Sequence, residues 1–383
     1  MLFMPIIVPF YIDNGLEAKD VFLLQAVYSI SVVVLEIPSG YIADAWGRKK
    51  TIIAGSSFGF LGFLVYSFSG GFYGFLLAEI ILGLGQSLIS GADSAILYDS
   101  LLEMENEKDY AKFEGRITAV GNFAEAIAGI LGGVLANISL RTPYFFQTGI
   151  AFMAVPASIL LIEPVKHKLH VGVSFKHFFS IIHWCLFKNK KIRDTILYSS
   201  IIGTSTLTMA WFVQFYFKQV NISSTSIYGI LWTGLNLIVG ITSLYAYKIE
   251  LKLGSKRIVF LILFGLMSVY ISVGWINSYW GISLLVVFYI IRGTATPILK
   301  DYINRLTESH IRATVLSVRS FVIRIFFAIC GPVFGWVIGK YSLVYALSTA
   351  GIVFLFSGGI FALLLVYKNR DEETHYKSIS NPS

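Results

Sequence analysis

Residues 36–50 have the sequence EIPSGYIADAWGRKK and separate two long apolar stretches. An apolar run arrives from residue 21, glycines occupy positions 40 and 47, and three consecutive bases precede the next apolar run, which starts at Thr51. A helix of about 20 apolar residues is long enough to cross the hydrocarbon core of a bilayer. Residues 36–50 are therefore predicted to form a short charged loop between two membrane helices.

The composition agrees with a protein that crosses the membrane many times. Of the 383 residues, 56% are hydrophobic and only 14% are charged, which is typical of polytopic membrane proteins. The net charge of +8 does not indicate a nucleic-acid partner, because the bases lie at the ends of the apolar runs. The two cysteines, Cys185 and Cys330, are expected to be inert, since their contexts suggest neither a disulfide framework nor a thiolate metal site.

Eleven apolar runs are long enough to be complete membrane helices. They lie near 21–42, 51–69, 73–98, 116–138, 143–163, 194–217, 226–247, 257–275, 280–300, 313–338 and 342–367. A twelfth run, 2–12, is apolar but too short, so we expect the natural chain to begin about a dozen residues upstream of Met1.

The distribution of bases predicts the orientation in the membrane. With the N-terminus inside, 23 of the 30 Lys and Arg residues fall in cytoplasmic segments, and four fall in external loops. Cytoplasmic loops of membrane proteins carry such an excess of bases. The sequence therefore predicts a multi-pass protein of the inner (plasma) membrane with both termini in the cytoplasm.

Internal repetition predicts two halves of six helices. The run that starts at Arg116 aligns with the run that starts at Arg319 at a shift of 203, and residues 47–50 align with residues 254–257 at a shift of 207. The predicted parts are an N-terminal half (1–163), a cytoplasmic linker (164–193), a C-terminal half (194–367) and a cytoplasmic tail (368–383). The linker contains four of the six histidines, but their spacing matches no standard metal-ligand set, so a surface amphipathic helix is favoured.

The spacing of Gly40, Asp44, Gly47, Arg48 and Lys49 resembles the signature loop of the major facilitator superfamily of secondary transporters. This resemblance implies an all-α polytopic fold with two duplicated six-helix halves, the architecture for which this superfamily is a standard example. It also implies that the loop is a cytoplasmic latch, in which Asp44 and Arg48 act against the other half.

The sequence departs from the family pattern at two positions. Ala45 follows Asp44 where a base is usual, and Glu79 replaces the arginine expected ahead of Gly83-Leu84-Gly85. The second departure leaves Asp93 or Glu125 as candidates for the proton-relay role of that arginine. Residues 302–305 and 311–317 look like features of bacterial facilitators related to drug exporters.

Ionisable side chains inside the predicted spans are divided by sign between the halves. Each costs about 2.5–3.5 kcal/mol at the bilayer centre unless partners or water compensate it. All acids lie in the first half and all bases in the second. The acids are Glu36, Glu79, Asp93 and Glu125, and the bases are Arg292, Arg319 and Arg324. Ion pairs between the halves are therefore predicted to close one face of the protein, with Glu36, Arg319 and Arg324 at this gate.

Helical spacing predicts two polar stripes. Glu79, Gln86, Ser90 and Asp93 would form one, and Arg292, Thr296 and Lys300 the other. In the resembled fold these helices line the central cavity, which makes the stripes the expected substrate and proton path. The alternative is that the polar groups bond helix to helix.

Glu125 shares a helical face with small residues, among them Gly121, Gly132 and Ala136. It is therefore expected to point into packed protein. There it would serve either as a titrating group or as a static ion pair.

No nucleophile–base constellation, phosphate-binding GxxxxGK[ST] loop or metal-ligand spacing occurs in the sequence. We therefore predict no enzyme, no cofactor and no metal. The favoured function is a monomeric secondary transporter that exports a small organic compound in exchange for protons, with Asp93 as the preferred proton acceptor. Uptake of an anionic nutrient by proton symport, suggested by Arg292, and a non-transporting sensor or degenerate transporter remain alternatives.

Overall fold

The computed structural model describes residues 1–90, 92–106, 109–164, 180–307 and 311–380. In these residues the regular structure is helical and contains no strand, which confirms the all-α prediction.

Helices occur in every predicted span. In the first half they are α1 (Ile7–Asp13), α2 (Ala18–Trp46), α3 (Arg48–Phe68), α4 (Gly71–Ser90), α5 (Asp93–Glu103), α6 (Tyr110–Leu135) and α7 (Thr142–Ile159). A π-helical turn at Trp184–Lys188 precedes the second half. Its helices are α8 (Lys190–Gln219), α9 (Thr225–Leu253), α10 (Ser255–Trp275), α11 (Trp280–Arg305), α12 (Arg312–Lys340) and α13 (Leu343–Ser380).

Within the described residues, nine helical segments are both long and apolar enough to cross a membrane. One of them combines α4 and α5 over Gly71–Glu103. The predicted spans 116–138 and 143–163 correspond to α6 and α7.

The chain packs as two units that cut across the sequence halves. Unit 1 consists of residues 1–178, 214–234 and 328–339, and unit 2 of residues 179–213, 235–327 and 340–383. Unit 1 therefore contains parts of α8, α9 and α12 in addition to the helices of the first half. The boundaries of the two six-helix halves, the linker and the tail remain a prediction.

Aromatic side chains fill the core of unit 1. They come from the start of the chain and from α1, α3, α4 and α7, and none of them is more than 6% exposed. Ring centroids are 4.1 Å apart for Phe10 and Tyr144, and 5.3 Å apart for Tyr66 and Phe75. The aromatic core consists of Phe3, Phe10, Tyr11, Phe63, Tyr66, Phe75 and Tyr144.

Small residues allow α6 and α9 to approach closely within unit 1. A Cβ atom on Gly133 would lie 2.7 Å from the Thr225 carbonyl oxygen and 2.9 Å from Gly229 Cα. Asn137 also donates a hydrogen bond to Ser226 Oγ at 2.7 Å. Small residues thus allow close helix packing in this part of the chain.

Unit 2 has an aliphatic core near the start of α8. The buried side chains include Ile181, Cys185, Ile192 and Ile196, and they pack with Val318 of α12. Burial raises the pKa of the Cys185 thiol to about 11. The thiol therefore stays protonated near neutral pH, which makes it a poor nucleophile.

Candidate functional site

The prediction that residues 36–50 form a loop was wrong in its extent, because α2 continues to Trp46 and includes Gly40. The chain turns at a single glycine. Gly47 has φ of +108° and separates α2 from α3. Its N–H donates to the Ala43 carbonyl at 3.1 Å, and its own carbonyl accepts from the Thr51 N–H at 3.2 Å. A positive φ is readily adopted only by glycine, so the sequence signal at this position is a backbone requirement.

A carboxylate from the segment that follows α7 caps the start of α3. The Arg48 N–H donates to Glu163 Oε1 at 2.8 Å, and the Lys49 N–H donates to Oε2 at 2.7 Å. The first N–H groups of a helix have no intrahelical acceptor and favour negative charge. Glu163 supplies both the acceptor oxygens and the negative charge, although it was not among the residues predicted from the sequence. The available signal was an acid at the end of an apolar run, directly before Pro164.

The Arg48 side chain pairs within its own unit. Its Nε lies 3.5 Å from Asp99 Oδ2 of α5. Both side chains are partly exposed, so this pair contributes only about 0.2–1 kcal/mol. The surroundings of Gly40 and the side chain of Asp44 lie outside the described residues, so the predicted latch remains a proposal.

The second copy of the loop has the same backbone geometry. Gly254 has φ of +78°, and its N–H donates to the Glu250 carbonyl at 2.8 Å. The Ile258 N–H donates to the Gly254 carbonyl at 3.1 Å, as Thr51 does to Gly47. The predicted repeat is therefore visible as two glycine-centred turns, each of which starts a helix.

A buried carboxyl group lies in the aromatic core of unit 1. Glu79 of α4 is only 4% exposed. Its Oε1 accepts hydrogen bonds from Tyr11 Oη at 2.9 Å, Gln25 Nε2 at 2.5 Å and Tyr66 Oη at 2.6 Å. We call these four side chains the Glu79 network. They come from α1, α2, α3 and α4, so residues far apart in the sequence converge on one carboxyl group.

The hydrogen-bond geometry of the network has room for one more proton. Tyr11 Oη and Tyr66 Oη are 2.5 Å apart, and both lie within hydrogen-bond distance of Glu79 Oε1. Three such oxygen–oxygen contacts require three hydrogens, whereas the two phenols supply two. A proton on the Glu79 carboxyl would complete the triangle. The network can therefore hold a proton without rearranging its heavy atoms.

The other residues of the first predicted stripe do not share this environment. Gln86 is half-buried, while Ser90 and Asp93 are exposed. The stripe was inferred for one continuous helix, but α4 ends at Ser90 and α5 begins at Asp93. The four residues of the stripe therefore lie on two helices, and their common face stays a prediction.

Glu125 is exposed on α6, so the expectation that it points into packed protein was wrong. Gly121, on the same face, has open space around it. Close packing starts only at Gly129, where a Cβ atom would meet the Thr233 side chain. The small-residue face is therefore packed along only part of α6.

The candidate bases of the second half occupy different environments within unit 2. The Arg292 guanidinium lies over the Tyr289 ring at 5.2 Å, and Thr296 is exposed and donates to the Arg292 carbonyl at 3.2 Å. Arg324 is half-buried. Arg319 is only 7% exposed, and its Nε donates to Ser199 Oγ at 2.5 Å. No carboxylate of the described residues forms an ion pair with Arg319.

The predicted gate acid Glu36 is half-buried in α2 and does have an interaction partner. In the described part of the chain, no three His, Cys, Asp or Glu side chains are placed to hold a metal ion. The linker histidines His167, His170 and His177 lie outside that part.

A family model described as Major Facilitator Superfamily matches residues 1–298. The chain belongs to this superfamily. It is 23% identical over 310 residues to the quinolone resistance protein NorA of Staphylococcus aureus (strain Mu50 / ATCC 700699), covering 80% of this chain and 77% of NorA. It is also 23% identical to the class H tetracycline resistance protein of Pasteurella multocida, covering 99% of this chain and 94% of that protein.

The fold is also that of solved facilitator structures. A crystal structure of the nucleoside transporter NupG matches with a TM-score of 0.78 at 15% identity, over 96% of this chain and 94% of NupG. The chain is thus a multi-pass membrane transporter of a small-molecule substrate and not an enzyme.

Proposed function

We propose that this transporter exports a small organic compound in exchange for protons. Two relatives, NorA and the class H protein, are named for resistance to quinolones and to tetracycline, which supports an export role. We further propose that the chain works as a monomer in the plasma membrane with both termini in the cytoplasm. The excess of bases in the predicted cytoplasmic segments supports this orientation.

The Glu79 network is the main support for the proposal of proton coupling. A carboxyl group in the membrane interior is costly unless it is protonated or hydrogen-bonded. Three donors stabilise the ionised form of Glu79, and the oxygen triangle has room for one proton. Such a group can alternate between two protonation states. We assign Glu79 as a proton carrier. The sequence alone had offered several acids for this role.

Asp93 is proposed as the acid that meets the substrate. It is exposed at the start of α5, whereas Glu79 is buried. A cationic or neutral substrate at Asp93 would compete with a proton for its charge. Gln86, Ser90 and Glu125 are proposed to lie along the same path, and Arg292 and Thr296 along the path in the second half.

We further propose a gate in which acids of the first half pair with bases of the second half. Glu36, Arg319 and Arg324 would pair when the cytoplasmic face closes, and the signature loop with Asp44, Gly47, Arg48 and Lys49 would latch it. The buried guanidinium of Arg319, which forms no ion pair with the described residues, supports a partner that binds in another state.

Transport in cells tests the proposal. Exporter-deficient bacteria expressing the chain should accumulate less of a lipophilic cationic dye, a quinolone or a tetracycline, and a protonophore should reverse the effect. Glu79→Gln keeps the side-chain shape but cannot carry the proton, so it should abolish protonophore-sensitive efflux. Glu105→Gln, which removes an exposed carboxylate, is the matched control.

Each outcome of this experiment decides a separate point. Wild-type efflux in Glu79→Gln would remove Glu79 from the coupling mechanism. No protonophore-sensitive change for any probe, with membrane insertion confirmed, would reject proton-driven export of these compounds.

Uptake of an anion by proton symport is the second candidate function. Arg319 favours it, because a buried guanidinium that forms no ion pair with a carboxylate of the described residues can bind an anionic substrate. Proton-driven accumulation of an organic anion, lost in Arg319→Gln, would support this function over export.

A further inference from the structure

The helix that carries Tyr11 begins with a break in its backbone. The chain forms a 3₁₀ turn at Met4–Ile6 and then α1, which begins at Ile7. Pro5 and Pro9 lie on either side of this junction, and a proline has no N–H to donate to a helix. We call the junction the α1 break.

The side chain of Gln214, in α8, lies in the α1 break. Its Nε2 donates to the Met4 carbonyl at 2.9 Å, and its Oε1 accepts from the Val8 N–H at 3.1 Å. These are the two backbone groups that one hydrogen bond of a continuous α-helix would join. The amide therefore bridges them, and a side chain inserted in this way is a known cause of a helix kink.

Burial makes the bridge necessary. Gln214 is 1% exposed and Val8 is 0% exposed, so bulk water has no access to take the place of the amide. A buried backbone N–H without an acceptor is costly. Without the amide, the Val8 N–H and the Met4 carbonyl would satisfy each other through a shift of α1 toward the geometry of a continuous helix.

Tyr11 follows Val8 by about one helical turn. Because α1 has only seven residues, the position of its first turn determines the rotation of the whole helix. The Tyr11 hydroxyl is buried and lies 2.9 Å from Glu79 Oε1 and 2.5 Å from the Tyr66 hydroxyl. Hydrogen bonds weaken steeply when their geometry is disturbed. A shift of α1 would therefore weaken the bond from Tyr11 to Glu79.

We propose that Gln214 is a positioning residue for proton binding, which holds the Tyr11 hydroxyl against Glu79 by bridging the α1 break. This inference rests on the proposed role of Glu79 as a proton carrier. A hydroxyl that donates to a carboxylate stabilises the ionised form. Gln214 therefore favours release of the proton from Glu79, and it does so through Tyr11. All of these groups belong to unit 1.

The other polar groups around Glu79 keep a constant charge near neutral pH. Tyr66 of α3 donates to the carboxyl group, and so does the neutral amide of Gln25 in α2. Tyr144 of α7 is close enough to interact with the charges of Glu79 and Arg141. Tyrosine and arginine do not change their charge between about pH 4 and about pH 9. A titration over this range therefore reports on Glu79.

Infrared titration of the Glu79 carboxyl group in the purified full-length chain tests the proposal. The C=O band of protonated Glu79 is identified by its loss in Glu79→Gln. Tyr11→Phe removes one donor to the carboxylate, so it should move the midpoint upward by about one pH unit. Gln214→Met, which keeps the size of the side chain without the amide, should move it in the same direction. Gln147→Met is the matched control, because Gln147 is also buried and accepts from the Leu2 N–H at 3.0 Å, outside the α1 break; it should leave the midpoint unchanged.

The double variant separates positioning from a general loss of packing. If Gln214 acts through Tyr11, Gln214→Met should add no further shift in the Tyr11→Phe background. Additive shifts, or a wild-type midpoint in Gln214→Met, would overturn the role of Gln214 and leave Glu79 as the proton carrier. A Glu79 band that does not titrate in the wild-type chain would overturn the proposed function and this role with it. Gln214→Asn, whose amide is too short to reach both backbone groups, provides the same comparison if Gln214→Met does not fold.

Discussion

Removal of the Glu163 carboxylate should loosen the start of α3. Glu163→Ala deletes the acceptor of two N–H groups, at 2.8 and 2.7 Å from the carboxylate oxygens. Loss of a helix N-cap costs about 0.5–2 kcal/mol. Because the Glu163 acceptor is charged but half-buried, we expect about 2 kcal/mol for Glu163→Ala. Glu163→Gln keeps one acceptor and loses the charge, so about 1 kcal/mol is expected.

Hydrogen exchange measures this effect locally. When exchange occurs through local opening, a loss of about 2 kcal/mol raises the exchange rate about 30-fold. Peptides covering the first turns of α3 should therefore exchange about 30-fold faster in Glu163→Ala and about five-fold faster in Glu163→Gln. Peptides from unit 2 should not change. Asp13→Ala, which removes an exposed carboxylate at the end of α1, controls for a general effect of charge.

Unchanged exchange at the start of α3 in Glu163→Ala would refute the capping role. Equal effects of Glu163→Ala and Glu163→Gln would show instead that the negative charge, and not the number of acceptors, stabilises the turn. Faster exchange throughout unit 1 would indicate that α7 itself had been displaced.

Three further predictions concern other parts of the chain. Asp93→Asn should abolish proton-coupled efflux at unchanged expression, and wild-type transport rates would remove Asp93 from the mechanism. Gly133→Val should lower stability by about 1–3 kcal/mol, because its Cβ would lie 2.7 Å from the Thr225 carbonyl oxygen; Gly121→Val, in open space, should leave the melting temperature unchanged. Cys185, with a pKa of about 11, should be about 0.1% thiolate at pH 8. The rate of maleimide labelling should therefore rise about ten-fold per pH unit up to about pH 11. A labelling rate with its midpoint near about pH 8.5 would contradict the burial of this thiol.

Local sequence signals were sufficient to predict the family, the all-α fold and the turn at Gly47. Each of these predictions depends on a property of a short segment that does not involve contacts with the rest of the chain. The length and hydropathy of a run predict a membrane helix, and a left-handed turn requires glycine. The repeat at Gly254 was visible for the same reason.

The Glu79 network could not be predicted in the same way. Glu79 was selected as an intramembrane acid, but Tyr11, Gln25 and Tyr66 were not, because their meeting depends on the rotation of α1, α2 and α3 about their axes. Tyrosines in an apolar helix usually indicate packing or an interface position. Their hydroxyls become informative only when the carboxyl group is seen between them.

Two expectations depended on the same assumption of regularity. Placing Asp93 on the face of Glu79 assumed a helix that continues past Ser90, where α4 ends, and burying Glu125, which is exposed, assumed a packed face along the whole of α6. Helical periodicity specifies a direction around a helix axis only while the helix is regular. It does not specify how far along that axis a neighbouring helix extends. The pattern therefore could not show that α6 is packed at Gly133 but open at Gly121.

The two glycine turns show which features of a duplicated element can diverge. Gly47 and Gly254 both have positive φ, and both accept a hydrogen bond from the residue four positions on. The charges around them have exchanged sign, because Arg48 of the first loop pairs with Asp99, whereas Glu250 of the second pairs with Arg305. Asp99 and Arg305 are 206 positions apart, close to the shift of the repeat. Glycine is required by the positive φ of the turn, whereas an ion pair stabilises a helix end with either polarity, so the charges of the two turns could diverge while the glycines could not.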